Sequence, residues 1–368
     1  MGLTPDSRSP NDPGETSGAR SARLDDLAAF ALDAVDLAEA VSIEAMLLTD
    51  ADATQLERDF RDASGALAAG LHHDDAEARA AAQSLRARVI NTAHARRAPV
   101  AIDAATAIEV HRIELERVLL LLGRLTDAQW ALPLDPPEFA GWTIKDLAAH
   151  LASNEANATQ VLGLSSPSLP ESANDNEART AEVLARHRRM SNAETLAELE
   201  ACFRAVDAKV SELGPEGIET VISWWGMDIR IMTMLIVRSF ETWTHADDIR
   251  RGVGLPQLPP PASSLARMSQ IAASWAPLMM MARGEDLGAT AIELHLTGLG
   301  GGTHFVNLGF EDLDSATHAP AAIVTIDVLD YCHVIGDRLK PADVVYEATG
   351  DLDLTRTYVS SLDALATL

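Results

Sequence analysis

The sequence predicts an α+β protein in which helical blocks fill most of the chain and a small sheet-containing domain follows them. Apolar residues recur at helical spacing up to about position 250, whereas the last hundred residues contain segments in which apolar and polar residues alternate. At 368 residues the chain exceeds the size at which one hydrophobic core stops growing, so we expect two or three domains.

The N-terminal quarter divides into a tail and a helical extension. Residues 1–23 are rich in Pro, Gly, Ser, Asp and Arg with almost no large apolar side chains, so we expect a disordered tail. Residues 24–95 are acidic and Ala-rich, with apolar residues at helical spacing from Leu27 and Phe30 onward, which predicts several short amphipathic helices. The polar run His94–Pro99 predicts a linker that ends this unit.

A second helical block is predicted over residues 100–256. A long amphipathic helix begins near Ile108, and Thr143 is a good N-cap for a helix that carries His150. Another helix is expected from about Asp228 to Arg250, ended by the glycines and proline that follow. Loops rich in Pro, Ser or Asn separate these helices, which is the pattern of a helical bundle.

Residues 257–368 are predicted to form a small α+β domain with an antiparallel sheet. Three segments carry the strand signal: Ile292–Thr297, Ala322–Val328 and Val344–Gly350. The Gly-rich run Gly298–Gly302 lacks the Lys and Ser or Thr of a phosphate-binding loop, so it predicts a hairpin turn. Helices are expected over Pro261–Ala282 and Leu354–Leu368.

Charge and cysteine content exclude several classes of function. The net charge of −26 argues against a surface that neutralises nucleic-acid phosphates or anionic lipids, and favours a small molecule or a basic protein as partner. The two cysteines, Cys202 and Cys332, are far apart, so we expect neither a disulfide framework nor a thiolate zinc site. The start lacks an apolar signal core and no run reaches the about 18 apolar residues of a membrane span, so a cytoplasmic location is expected.

Three residues are candidates for metal ligands. Glu241 and His245 are four positions apart on a predicted helix, so their side chains share one face. His150 is a polar residue in an apolar stretch of another helix. Two imidazoles and a carboxylate suit Zn²⁺ or a similar divalent ion, and three protein ligands leave a position for water or substrate. The alternative is that Glu241 and His245 form an ordinary surface ion pair.

Two segments around these residues resemble motifs of the mycothiol-dependent maleylpyruvate isomerase family, a branch of the DinB-like four-helix bundles. They are GWTIKDLAAHLA at Gly141–Ala152 and RSFETWTHADDI at Arg238–Ile249, and the resemblance extends over about Ala105 to Leu368. It implies a DinB-like bundle followed by a C-terminal α/β domain similar to sterol-carrier folds.

The resemblance also implies a chemistry. His150, Glu241 and His245 would bind a divalent metal, usually zinc, which activates the thiol of mycothiol for addition to a small electrophile. The reaction would be an isomerisation or a thiol transfer. In this family the C-terminal domain can supply an arginine, and Arg338 is the candidate for that catalytic role, orienting an anionic substrate. Asp337 departs from the family pattern, in which Gly and Arg are adjacent, so a surface salt bridge is the alternative for Arg338.

Two further residues are candidates for cofactor binding. Arg238 precedes Glu241 by one helical turn, where it could bind a ligand carboxylate in a bidentate manner or form a salt bridge that supports the site. Trp225 follows Trp224, and the pair is a candidate wall of a ligand pocket, with ordinary core packing as the alternative.

A second resemblance concerns the N-terminal extension. Leu27–Ala40, together with Leu85–Ile90, is similar to the sigma-binding domain of zinc-less anti-sigma factors, although a plain helical appendage has the same composition. This resemblance implies an alternative function: a cytoplasmic anti-sigma regulator that binds a sigma factor through residues 24–95, with the metal- and thiol-binding bundle as its sensor. Turnover with mycothiol would favour the enzyme, and capture of a sigma factor would favour the regulator.

Overall fold

A computed structural model describes the following parts of the chain: Leu27, Ala28, Phe30, Ile43, Met46, Leu47, Asp50 and 53–60, and then 104–134, 141–165, 176–224, 226–285, 287–311 and 313–367. The chain divides into two compact units, residues 1–76 and 77–368. The expected tail over 1–23 and the expected linker His94–Pro99 lie outside the described residues. The predicted domain limits therefore stay predictions.

In the first unit, the described residues are helical at the positions where the sequence places apolar side chains. Leu27, Phe30, Ile43 and Leu47 lie in helical backbone and are buried. Residues 53–60 form a continuous helical stretch. Its first turn is capped by Asp50, whose carboxylate accepts a hydrogen bond from the backbone N–H of Ala53. The helical character expected for this region is confirmed at these positions.

The described part of the second unit, from Ala104 onward, starts with a helical bundle and a short hairpin. Its elements are α1 Ala104–Arg124, α2 Asp127–Trp130, α3 Ile144–Val161, α4 Asn176–His187, α5 Asn192–Gly217, β1 Val221–Trp224, β2 Met227–Arg230 and α6 Ile231–Gly252. Within the bundle, α6 packs along α1 and α3 packs along α5. Thr143 caps α3 in a reciprocal capping box with Asp146, as the sequence predicts.

The remainder of the unit packs helices against a four-stranded sheet. Its elements are α7 Ala262–Ser274, α8 Ala276–Ala282, β3 Ala291–Thr297, β4 Thr303–Asn307, β5 Ala322–Asp327, α9 Val328–Ile335, β6 Tyr346–Gly350 and α10 Leu352–Ser361. The strand order is β4-β3-β5-β6. Short 3₁₀ helices occupy Pro341–Asp343 and Leu362–Thr367. The α+β class predicted from the sequence is confirmed.

The sheet is mixed, so the predicted antiparallel arrangement is wrong in one respect. β3 pairs with β4, and β5 with β6, in antiparallel register, whereas β3 and β5 run parallel, with Leu294 opposite Val324. The hairpin turn predicted at Gly298–Gly302 is present and leads into β4. After β4 the chain crosses to the other side of β3, and this crossover sets the parallel pairing.

One cluster of buried apolar residues extends through the bundle and the sheet. It includes Val206 of α5 and Trp243 of α6 on the bundle side, and Leu294, Val324 and Tyr331 on the sheet side. The bundle and the sheet therefore share a core, and α6 is positioned by packing on both of its sides. Among the described helices, none combines the length and the apolar composition needed to cross a membrane.

Candidate metal centre and cavity

Three side chains from two bundle helices meet at the inner surface of the second unit. His150 extends from α3, and Glu241 and His245 extend from one face of α6. The Nε2 atom of His150 lies 3.1 Å from Oε1 of Glu241, and the Nε2 atom of His245 lies 3.8 Å from the same oxygen. A ligand atom from each of the three lies within 4.8 Å of the other two. Their side chains are 17%, 22% and 11% exposed, respectively, so a small ion or molecule can reach them.

The amide of Asn154 contacts both His150 and Glu241. The Nδ2 atom of Asn154 lies 3.0 Å from Nε2 of His150 and also donates to Oε1 of Glu241. Arg179 donates to Oδ1 of Asn154 at 3.4 Å, which orients the amide so that its NH₂ group faces the histidine. Nε2 of His150 therefore lies between a donor, the amide of Asn154, and an acceptor, the carboxylate of Glu241 at 3.1 Å.

The carboxylate of Asp248 contacts the ring nitrogen of His245 that faces away from the centre. Nδ1 of His245 lies 3.1 Å from Asp248, and because a carboxylate only accepts, Nδ1 carries the proton and Nε2 keeps a lone pair. Arg338 donates to both oxygens of Asp248, from Nε at 2.8 Å and from Nη2 at 2.6 Å. Burial favours a higher pKa for Asp248, but the hydrogen bonds from His245 and Arg338 outweigh it and lower the pKa to about 2. Burial also lowers the pKa of His245. The imidazole is therefore held neutral beside an ionised carboxylate.

A buried ion pair supports Glu241. Arg238 has no exposed side-chain surface, and its guanidinium donates to Oε2 of Glu241 and, at 3.0 Å, to Oε1 of Glu155 on α3. Burial acts to raise the pKa of Glu241, but the charge of Arg238 outweighs it and holds the pKa well below its ordinary value. His111 of α1 lies 3.5 Å from the second oxygen of Glu155. Arg238 thus leaves Oε1 of Glu241 directed at the two histidines.

The three residues line a cavity of about 1030 Å³. Bundle residues form one side of it, including Asn157 of α3, whose amide oxygen accepts a 2.9 Å hydrogen bond from the indole of Trp224. Residues 335–338 and 365–366, and residues 268, 271, 272, 275 and 278, form the other side. The cavity is therefore built from both the bundle and the sheet-containing part, with the polar centre on its wall.

Four of the predicted site residues meet at the centre. His150, Glu241 and His245 come together, and Arg338 reaches the same centre from the turn after α9, where Asp337 adopts a φ of 54°. Arg238 is not among the residues that line the cavity, and its contacts favour the salt-bridge alternative. Trp225 lies outside the described residues, while its neighbour Trp224 lines the cavity.

Three residues of the centre were not identified from the sequence: Asn154, Glu155 and Asp248. Asn154 and Asp248 follow His150 and His245 by four and three positions, which places them on the same helix faces, so their spacing is a signal that could have found them. Glu155 contacts Arg238, which is 83 positions away, and its sequence neighbourhood gives no sign of this pairing.

The fold and the centre together define a helical bundle with a potential metal site made of two histidines and one glutamate. Residues 111–250 match the family described as the mycothiol maleylpyruvate isomerase N-terminal domain. This match confirms the family resemblance inferred from the sequence over the bundle.

Two solved structures are also similar: the mycothiol-dependent maleylpyruvate isomerase and a point mutant of it. Each is 16% identical, with a TM-score of 0.47, covering 68% of this chain and 95% of the other. No curated protein matches the chain. These comparisons give no support to the predicted anti-sigma resemblance of residues 24–95 or to a sigma factor as partner.

Proposed function

We propose that this protein binds a divalent metal, with zinc as the best-suited ion, and activates the thiol of mycothiol for addition to a small electrophile. The observation that carries the proposal is the convergence of three ligand atoms within 4.8 Å on the wall of a large cavity. The family match over residues 111–250 supplies mycothiol as the thiol.

The donor set fits a zinc ion. The Nε2 atoms of His150 and His245 lie 3.1 and 3.8 Å from an ionised carboxylate oxygen of Glu241, and Nε2 of His245 carries a lone pair. Electron-rich atoms at this separation repel one another unless a cation or a proton lies between them. Two imidazoles and a carboxylate leave one tetrahedral position open, as in catalytic zinc sites. A zinc ion held there would lower the pKa of a bound thiol and stabilise the thiolate.

Hydrogen bonds from neighbouring residues orient these three ligands. Asp248 fixes the tautomer and the ring orientation of His245, and Asn154 contacts Nε2 of His150. Arg238 occupies one oxygen of Glu241 and keeps the other available. Arg338 holds Asp248 in its ionised form, so in this proposal it acts on the centre through Asp248 and His245.

Two reactions follow from thiol addition to a carbon–carbon double bond conjugated to a carbonyl. The sulfur–carbon bond forms while the electron pair of the double bond moves onto the carbonyl oxygen. In an isomerisation the new single bond rotates and the sulfur leaves again, which regenerates the thiol. In a thiol transfer the neighbouring carbon takes up a proton and the sulfur–carbon bond is kept. Both reactions use the same site.

The metal part of the proposal is tested by elemental analysis of the purified chain. We expect close to one divalent ion per chain, and we expect His150→Ala, Glu241→Ala and His245→Ala each to lose most of it. Glu212→Ala and His318→Ala are matched controls outside the centre and should retain the ion. Full occupancy in two of the three ligand variants would contradict the site.

The thiol part is tested with cobalt in place of zinc. Mycothiol added to the cobalt-loaded protein should produce a sulfur-to-cobalt charge-transfer absorption, which the Glu241→Ala variant should lack. A metal-loaded protein whose spectrum does not respond to mycothiol would contradict thiol activation while leaving the metal site intact.

A further inference from the structure

We propose that the electrophile bound in this cavity is a neutral, largely apolar molecule rather than a dicarboxylate. The proposal rests on the proposed function, because the same cavity must hold the thiol and its electrophile. It is carried by the composition of the cavity wall and by the positions of its positive charges.

An apolar wall lies beside the centre. It is formed by side chains of α6, α7, α8 and the turn between the last two: Val237, Phe240, Met268, Ile271, Trp275 and Leu278. Phe240 directly precedes Glu241, and Val237 lies one helical turn before Glu241, so this wall adjoins the ligands. A surface of aliphatic and aromatic groups gains free energy when it removes apolar surface of a ligand from water.

The permanent positive charges at the cavity already donate hydrogen bonds to other groups of the protein. Among its described lining residues, Arg179 and Arg338 are the two that carry such a charge. The guanidinium of Arg338 is paired with the carboxylate of Asp248 and also donates to the carbonyl of Gly336. Arg179 is 1% exposed and donates to Ser153 and Asn154. Neither arginine belongs to the apolar wall.

Within residues 104–368 the sequence adds no further lysine or arginine to this count. From Ala104 to the end, the residues that the structure does not describe include neither Lys nor Arg. The carboxylates of Glu241 and Asp337 also line the cavity. A dicarboxylate would therefore lose its hydration against apolar side chains and next to negative charges. The net charge of −26 also repels a dicarboxylate as it approaches the protein from solution.

A matched pair of ligands tests the inference: dimethyl phthalate and phthalate, which share a ring and differ in charge. Their affinities are measured by calorimetry on the zinc-loaded full chain saturated with mycothiol, so that carboxylate binding to the metal does not compete. We expect the neutral ester to bind about tenfold or more tightly than the dianion. Equal affinities, tighter binding of phthalate, or binding of neither ligand would overturn the proposal.

A charge placed on the wall provides a second test. Ile271→Arg should reduce the preference for the ester by about tenfold, because the new guanidinium would pair with a carboxylate. Ile271→Gln alters the same position without charge, and Ser274→Arg adds the same charge at an exposed residue of α7 outside the lining; both should keep the preference. Equal shifts in all three variants would contradict a role for wall charge.

The outcomes separate this inference from the proposed function. Preference for phthalate with normal metal and mycothiol binding would leave the thiol-activating site standing and refute the electrophile class. Loss of mycothiol binding would refute the proposed function, and the ester and the acid compared on the metal-free chain would then decide which ligand the cavity favours.

Discussion

The substitution Glu155→Gln tests whether the buried ion pair behind the centre stabilises the fold. Glu155 and Arg238 have no exposed side-chain surface and are joined at 3.0 Å between α3 and α6. Glutamine keeps the shape of the side chain and can still accept the hydrogen bond from Nε of Arg238. The substitution therefore removes charge while it preserves most of the packing.

The unfolding free energy that Glu155→Gln should remove can be estimated from the distance between the two charges. Two unit charges 3.0 Å apart attract with about 5 kcal/mol at an effective dielectric constant of about 20. Breaking a buried pair by removing one partner typically costs about 3–5 kcal/mol. We expect a loss near the lower end, about 3 kcal/mol of unfolding free energy, because Glu241 remains as a partner of Arg238.

The pH dependence of this loss has a definite sign. Burial acts to raise the pKa of Glu155, but Arg238 and His111 outweigh it, so the folded-state pKa is below its ordinary value. A lowered carboxyl pKa contributes stability that is present at neutral pH and is lost as pH falls through the folded-state value. The difference in stability between the natural chain and Glu155→Gln should therefore narrow in acid.

The assay is urea unfolding of the metal-free protein followed by circular dichroism, arranged as a double-mutant cycle with Arg238→Met. Glu200→Gln is the control, because Glu200 forms an exposed pair with Arg204 and should cost less than about 1 kcal/mol. Effects of Glu155→Gln and Arg238→Met that add within about 0.5 kcal/mol would refute the coupling.

Two further predictions concern side chains next to the ligands. Asp248→Asn should weaken metal affinity about 10–100-fold in competition with a chromophoric chelator, because Nδ1 of His245 loses its charged acceptor. Arg251→Gln removes an exposed contact to the same carboxylate and should leave the affinity within about threefold; equal losses would argue against the tautomer explanation. Asp146→Asn should lower the unfolding free energy by about 1 kcal/mol, seen as a lower melting temperature, because this side chain completes the cap of α3; an unchanged melting temperature would contradict that role.

The sequence was informative about the centre because its ligands lie on helices. The spacing of Glu241 and His245 requires them to share a face, whichever way the helix packs. The meeting of His150 with that face depends on tertiary packing, and it was inferred through the family resemblance. The pairing of Glu155 with Arg238 depends on the rotation of α3 against α6, which periodicity does not specify.

The sheet shows a second limit of prediction from the sequence, which concerns the direction of strands. Alternation of apolar and polar residues identifies Ala322–Asp327 as a strand, but it carries no information about the direction of its neighbours. The parallel pairing of β3 and β5 follows from the crossover after β4, which is a property of the connection. Likewise, residue type gives little warning that Asp337 takes a φ of 54°, a conformation that glycine adopts more readily.

The core shared by bundle and sheet has a consequence for hydrogen exchange in the sheet. A ligand that binds the folded state alone stabilises it by mass action, and elements that open together share this stabilisation. Because α6 and β5 belong to one apolar cluster, we expect the amide hydrogens of Val324 and Ile326 to exchange with solvent through openings that also disrupt the packing of α6. Occupation of the cavity would then slow hydrogen exchange in a strand that contributes no side chain to its lining.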